Sequence, residues 1–463
     1  MIQDLIAEFD IGKTHTRLST IDARTGAQTW NVRRATRCVD TPIGRQLDIA
    51  GIESWLIETL RTAPGREHIR ALVPVAHGAA AVLVDDRGKV LAAPDYEDPR
   101  FESMNAEYDP QRDPFTETYS PALPLGLNLG RQLFYLEMRE PELFARAAHI
   151  LLYPQFWAWR LSEVMASEVT SLGTHTDLWR PHSLSFSQLA LRRTWSALLP
   201  QRRFAGDALG TAAGSVARAA GLPADCRIAC GIHDSNASYL RHLLHRRKHR
   251  FAVISSGTWT VVMANKADLG RLRAERDMLA NTDAFGSPVA TARFMGGREY
   301  EAIARTPAPP TIDALRKVIG QQAMALPAFG AGGPFATCKG RLVRAEPLED
   351  AERAALATLY VALMTDRLIE SLDAGGDIIL DGPFALNPLF GPLLAMLRPR
   401  NRILLDEGQC GAVAIGYLAG FAQQREPTLK AVRPAGIDGL EDYRNAWREA
   451  LPQPPVTFSR SGV

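Results

Sequence analysis

Residues 5–11 (LIAEFDI) are mostly apolar, the run breaks at Gly12, and the Thr- and Ile-containing stretch 16–22 (TRLSTID) follows, so strand, tight turn, strand is expected. Apolar positions across 51–61 recur at helical spacing. Residues 71–91 read as two strands followed by a hairpin at Asp86, Arg87 and Gly88. From Pro94 to Pro124 the composition turns to Pro, Asp, Glu and Tyr without periodicity, an irregular excursion of the functional rather than the idle kind. Helical patterning returns over 128–144, 154–161 and 185–199. Residues 224–244 predict a short strand, a Gly turn and a helix from about Ser235, and 250–265 repeat the N-terminal pattern of strand, Gly turn with hydroxyls, strand. A long helix over 351–374 is stopped by Gly375 and Gly376, 377–397 reads strand, turn, helix, and 411–422 reads as a small-residue helix.

The echo between IAEFDIGKTHT and AVISSGTWT places Gly12 and Gly257 at equivalent turns in two halves. It suggests a duplicated α/β core with a ligand crevice between the copies and a boundary near residue 228, giving domains 1–228 and 229–463. Composition agrees: 463 residues, 46% hydrophobic and 22% charged, describe a globular chain that needs no staples. With 53 Lys and Arg against 51 Asp and Glu, a nucleic-acid binder is not expected. An acidic first segment without a cleavage site, and no apolar run near 18 residues, lead to the expectation of a cytoplasmic protein without a membrane span. The scattered cysteines Cys38, Cys226, Cys230, Cys338 and Cys410 suit reduced thiols, and the lone close pair lacks the second half of a zinc site.

Asp10-Ile11-Gly12-Lys13-Thr14 contains Gly-Lys-Thr, yet a Walker loop needs Gly at position 7, which is Ala7, and a following helix. What remains is an ordinary hairpin, or a turn whose amides meet phosphate while Asp10 holds Mg²⁺. Ser255 to Thr260 surround Gly257 with four hydroxyls, so two such turns together could clamp a polyphosphate. Asp234 follows a strand and Gly231 at a helix mouth, where it is an N-cap or a general base for phosphoryl transfer, with His233 beside it. Gly382 after an apolar strand would admit a flat ring against the backbone, and Asn387 offers both donor and acceptor, or simply caps a helix. The Gly-rich loop 329–334 is a further candidate beneath a nucleotide. His242, His245 and His249 at helical spacing read as a solvated basic helix end rather than a metal face. Tyr153, Phe156, Trp157 and Trp159 read mostly as core, with one or two left to stack on a sugar.

Taken in order, FDIGKTHT, GIHDSNAS, SSGTWT, DGPFALNP and GAVAIGYLAG resemble the FGGY carbohydrate kinases, of the actin, Hsp70 and hexokinase superfamily. HDSNAS and SSGTW are most similar to the rhamnulokinase and fuculokinase branch. The resemblance implies two ribonuclease-H-like α/β domains with an interdomain cleft, closing on ATP-Mg²⁺ and a sugar. By motif it implies Asp234 as catalytic base and substrate contact, Asp10 as the metal-associated carboxylate, and phosphate loops at Gly12, Lys13, Thr14 and at Gly257, Thr258. Gly382 and Asn387 fall in its adenosine motif, and His77, Gln155 and Trp157 near its sugar. Lys13 stands where many members carry Thr, and Asp381 replaces the first of two glycines; Asp381 keeps a non-catalytic sugar- or nucleotide-sensing relative open as an alternative. The expectation is an ATP-dependent kinase acting on a hydroxyl of a small ketose such as L-rhamnulose or L-fuculose. The sugar itself and the oligomeric state, a homodimer included, are not fixed by these residues.

Overall fold

Leu5, Ala7, Phe9 and Ile11 alternate along the first strand and enter one core, where they join Ile52, Leu56 and Leu60, the buried stripe of the helix Ile49–Thr62. Period two on the strand and period four on the helix thus point their apolar faces at one another. The computed structural model describes residues 4–345, 347–406, 412–421 and 426–452; residues 1–3, Cys410 and Gly411, which figured in the expectations above, lie outside the described residues.

Among the described residues the first sheet runs Ala208–Thr211, Arg227–Ala229, Ile69–Ala76, Leu5–Ile11, His15–Asp22, Gln28–Ala35, with Ile232–His233 also on Ile69–Ala76. Leu5–Ile11 is antiparallel to His15–Asp22 and parallel to Ile69–Ala76. A second sheet repeats this order: Phe251–Ser256 is antiparallel to Thr260–Ala264 and parallel to Asp377–Asp381, which is parallel to Ile403–Asp406. The echo in the sequence is therefore a repeat of topology, with the Gly12 and Gly257 turns at matching places.

The described residues fall into two compact units: those within 1–247, 280–289 and 409–427 form one, and those within 248–279, 290–408 and 428–463 the other. The boundary expected near 228 falls inside the first unit, because Arg227–Ala229 and Ile232–His233 both pair with Ile69–Ala76. Other expectations shift locally. Helix 128–144 breaks at Glu140, ahead of Pro141, into Leu129–Arg139 and Pro141–Phe144. Within 185–199 a two-residue strand precedes the short helices Gln188–Arg192 and Trp195–Leu198. The excursion 94–124 holds short helical turns that bury Phe101, Met104 and Tyr108 in a second core. His242 is buried rather than solvated, and burial first, then neighbouring Arg241 and Arg246, pushes its pKa down. Asp350–Ser371 is closed at its start by a capping box between Glu349 and Glu352. Cys38, Cys226, Cys230 and Cys338 are free, and no described helix is long and apolar enough to cross a membrane.

Glu168 is fully buried and accepts from the amides of Thr170 (2.9 Å) and Ser171 (3.1 Å) and from the Thr170 hydroxyl (2.5 Å). Burial outweighs these bonds and raises its carboxyl from 4.5 to about 7. Between those values the folded chain binds more protons than the unfolded one, so this group's contribution falls as pH rises. The expected loss reaches about 3 kcal/mol on passing from pH 4 to pH 8. Denaturant unfolding at several pH values should show wild type losing stability relative to Glu168→Gln across this window; parallel curves would contradict the linkage.

Candidate active site

Three strand ends meet at one edge of the first sheet. Leu5–Ile11 and Ile232–His233 both run parallel to Ile69–Ala76, with Asp10 opposite Val75 and His233 opposite Ala76. Asp10, His77 and Asp234 therefore share the carboxyl end of these strands, where loops of α/β sheets collect ligands.

Asp234 opens the helix Asp234–Arg246, and its carboxylate is partly exposed. Oδ1 accepts from Ser235 N (2.5 Å) and Ser235 Oγ (3.2 Å) and lies 3.3 Å from His233 Nε2, which leaves Oδ2 open to a substrate hydroxyl. The helix dipole favours its negative charge. Asp10 Oδ2 and Glu8 Oε2 each lie 3.1 Å from the Arg17 guanidinium on the adjacent strand. Burial, then the charge of Glu8, raises the Asp10 carboxyl to about 7; Arg17 opposes this and Asp234 adds to it. His77 is buried, with Nδ1 2.9 Å from the Gly78 carbonyl, so Nδ1 carries the proton and donates. Burial lowers its pKa, and the neutral ring keeps Nε2 as a buried acceptor with no hydrogen-bond partner among the described residues. Such an orphaned atom fits a sugar hydroxyl.

The Gly12 turn is braced by Thr36, whose hydroxyl donates to Gly12 O at 2.8 Å, while Thr14 is exposed. Lys13 faces Asp95, with which it pairs directly, lies 3.2 Å from Glu97 and sits 4.7 Å from the Tyr96 ring centroid. Asp95 is also held by Arg45 (2.8 Å) and Cys38 (3.2 Å). The Lys13 ammonium, for which the sequence left open a place at the phosphates or one pointing away, is thus paired with carboxylates. Gln155 and Trp157 are fully buried: Gln155 donates to the carbonyls of Cys230 (3.2 Å) and Gly231 (3.1 Å), and Trp157 packs edge-on against Phe9 at 5.4 Å. Gln155 Oε1 and Trp157 Nε1 are buried without a hydrogen-bond partner among the described residues.

Within the second unit, Gly257, Thr258, Gly297, Arg298, Tyr300 and Asn387 help line a cavity of about 630 Å³. The helix Gly296–Ala304 begins directly against the Gly257 turn: Gly297 N donates to Thr258 O at 3.2 Å, and a Cβ on Gly297 would lie 2.2 Å from Gly257 O. Gly297 N–H is spent on that bond, so what it supplies is a close join between the Gly257 turn and a helix start, the kind of place that favours an anion. Gly382 has φ +84°, and a Cβ there would meet Ser256 O at 2.1 Å, so only glycine fits. Ser256 Oγ ties the two turns by donating to Asp381 O (2.7 Å) and accepting from Phe384 N (3.0 Å). Asn387 Oδ1 accepts from Leu389 N (3.0 Å) and Phe390 N (3.2 Å), and its amide donates to Thr358 Oγ1 at 3.0 Å, so much of its polar capacity is structural. Leu386 beside it is 84% exposed and presents an apolar face to the cavity. The 329–334 loop does not line this cavity; Gly332 packs on the Trp259 ring, and Gly333 N donates to Asp277 Oδ2 at 3.0 Å.

Sequence reasoning missed Gly296, Gly297 and Arg298. The signal was a Gly-Gly pair between a strand and a helix, ahead of a cation. It also missed Asp95 and Tyr96, although both lie in the excursion singled out as functional.

Residues 248–428 match the carbohydrate kinase FGGY, C-terminal domain. A solved carbohydrate kinase from Novosphingobium aromaticivorans is 33% identical over 97% of this chain and 98% of its own, with a TM-score of 0.89. The chain belongs to the FGGY carbohydrate kinases. It is a phosphotransferase of the two-domain actin- and hexokinase-like fold, in a family that uses ATP. The same fold appears in xylulose kinase from Rhodospirillum rubrum (16% identity, 96% and 98% of the two chains, TM-score 0.79). It appears again in Plasmodium falciparum glycerol kinase with ADP (12% identity, 97% of each chain, TM-score 0.76). No curated protein matches the chain in sequence.

Proposed function

We propose that this kinase transfers the γ-phosphate of ATP to a hydroxyl of a small ketose of the rhamnulose or fuculose type. The observation that carries the reading is the meeting of Asp10, His77 and Asp234 at one sheet edge. Asp234 Oδ2 accepts the proton of the attacking hydroxyl as the phosphoryl group moves in line to that oxygen. His77 Nε2 accepts a second sugar hydroxyl and so orients the first. The HDSNAS and SSGTW segments support the choice of ketose. The Gly257 amide, with Arg298, holds the phosphates in the second unit, and Leu386 flanks the base.

Mg²⁺ fits the residues present. Asp10 supplies a hard oxygen ligand, and among the described residues no cluster of three or more His, Cys, Asp or Glu forms a site of its own. That suits an ion bound by one or two carboxylates, water and phosphate oxygens, which would neutralise charge on the phosphates.

Arg298 lines the cavity and pairs with no carboxylate among the described residues. Arg298→Met is expected to raise the KM for ATP about tenfold, the loss of one charge-assisted bond, with sugar KM unchanged. An unchanged ATP KM in steady-state assays would remove Arg298 from the phosphate site.

The overall reading is tested by a coupled ADP-release screen over ketoses, aldoses and polyols with ATP-Mg²⁺. A rhamnulose- or fuculose-type ketose should give the highest kcat/KM. Preference for an aldose, a polyol or another ketose would overturn the substrate assignment, and binding without turnover would favour a sensing role.

A further inference from the structure

Asp234 leaves the sheet from a short strand whose last residue, His233, is held from below by buried groups. His233 N–H donates to Thr170 Oγ1 at 3.1 Å, and Thr170 Oγ1 donates to Glu168 Oε2 at 2.5 Å. Glu168 and Thr170 are both fully buried. A hydroxyl has one proton; directed at Glu168 Oε2, it leaves the Thr170 lone pairs to accept the His233 N–H. Thr170 lies in the short helix Val169–Leu172, and Thr174, in the turn that follows, donates its Oγ1 to Thr170 O at 2.7 Å. A Cβ on Gly78 would lie 2.8 Å from His233 Nε2 and 3.3 Å from Thr174 Cγ2, which leaves the imidazole little room to rotate. That imidazole is the group lying 3.3 Å from Asp234 Oδ1. On the other side of the strand, Gln155 holds the carbonyls of Cys230 and Gly231.

We propose that Thr170, oriented by Glu168, is a positioning residue that fixes the His233 backbone and ring and thereby aims the Asp234 carboxylate at the substrate hydroxyl. The proposal rests on Asp234 being the base. It concerns alignment alone, and a displacement of about 1 Å at a reacting group is enough to lower a rate strongly.

The test compares full-length wild type, Thr170→Ser, Thr170→Val, Glu168→Gln and Asp234→Asn, using the ketose with the highest ADP release in the screen. Thr170→Val should lower kcat at least about tenfold with ATP KM close to wild type, and Thr170→Ser, which keeps the hydroxyl, should restore kcat to within about twofold. A kcat unchanged in Thr170→Val, or equally low in Thr170→Ser, overturns the proposal. If Thr170→Val does not fold, Glu168→Gln decides: kcat down about threefold or more at constant ATP KM supports the brace, and unchanged kcat overturns it. Near-wild-type turnover in Asp234→Asn would instead overturn the base assignment. Loss in Asp234→Asn beside an intact Thr170→Val overturns only the brace.

Discussion

Asp234→Asn is expected to lower kcat by about 10²- to 10⁴-fold while ATP and sugar still bind. The amide keeps the size of the carboxylate, and its oxygen still accepts from Ser235 N and Oγ, so the start of the helix is retained. What disappears is a group able to take a proton at Oδ2. Losing one negative charge at a helix N-terminus costs only about 0.3–1 kcal/mol, so the fold survives. Steady-state kinetics with calorimetric binding of ATP separates the two effects. A kcat within a few-fold of wild type would remove Asp234 from the chemistry, whereas lost ATP binding would point to a structural role.

Gly297→Ala carries the second large effect. The new methyl group would sit 2.2 Å from Gly257 O and 3.3 Å from Thr258 Cα, both backbone atoms, so no side chain can swing away to relieve it. Either the Gly257 turn or the start of Gly296–Ala304 must move, which displaces the Gly257 amide from Arg298. The ATP KM should rise at least about tenfold, equivalent to roughly 1.4 kcal/mol of binding. Gly320→Ala is the contrast: nothing lies within 4 Å of its Cβ, so ATP KM stays constant. A Gly297→Ala enzyme with normal ATP KM would dissociate this turn from the phosphates.

Much of this was legible in the chain because local rules and packing agree. Leu5, Ala7, Phe9 and Ile11 alternate onto one face of a strand buried along most of its length, and Ile52, Leu56 and Leu60 complete the same core. The two Gly turns could be matched by sequence because each follows the first strand of a repeated topology. The long-range partners were not legible. Lys13 looks like a phosphate ligand until Asp95, 82 residues away, is brought against it. Gln155 reads as a sugar contact, yet its amide serves carbonyls 75 and 76 residues on. His242 lies in a run of cations that suggests solvent, and tertiary burial overrides that run. The domain edge shifted for the same reason, since pairing of Ile232–His233 with Ile69–Ala76 depends on contacts that no window of sequence contains.

The most direct measurement is the stoichiometry of a single reaction: wild-type chain, ATP-Mg²⁺ and the preferred ketose, with ADP and sugar phosphate quantified together by mass spectrometry. One ADP is expected for each phosphorylated ketose, and negligible ADP without sugar. ADP released at the same rate with and without sugar, or with no phosphorylated ketose formed, would contradict the account.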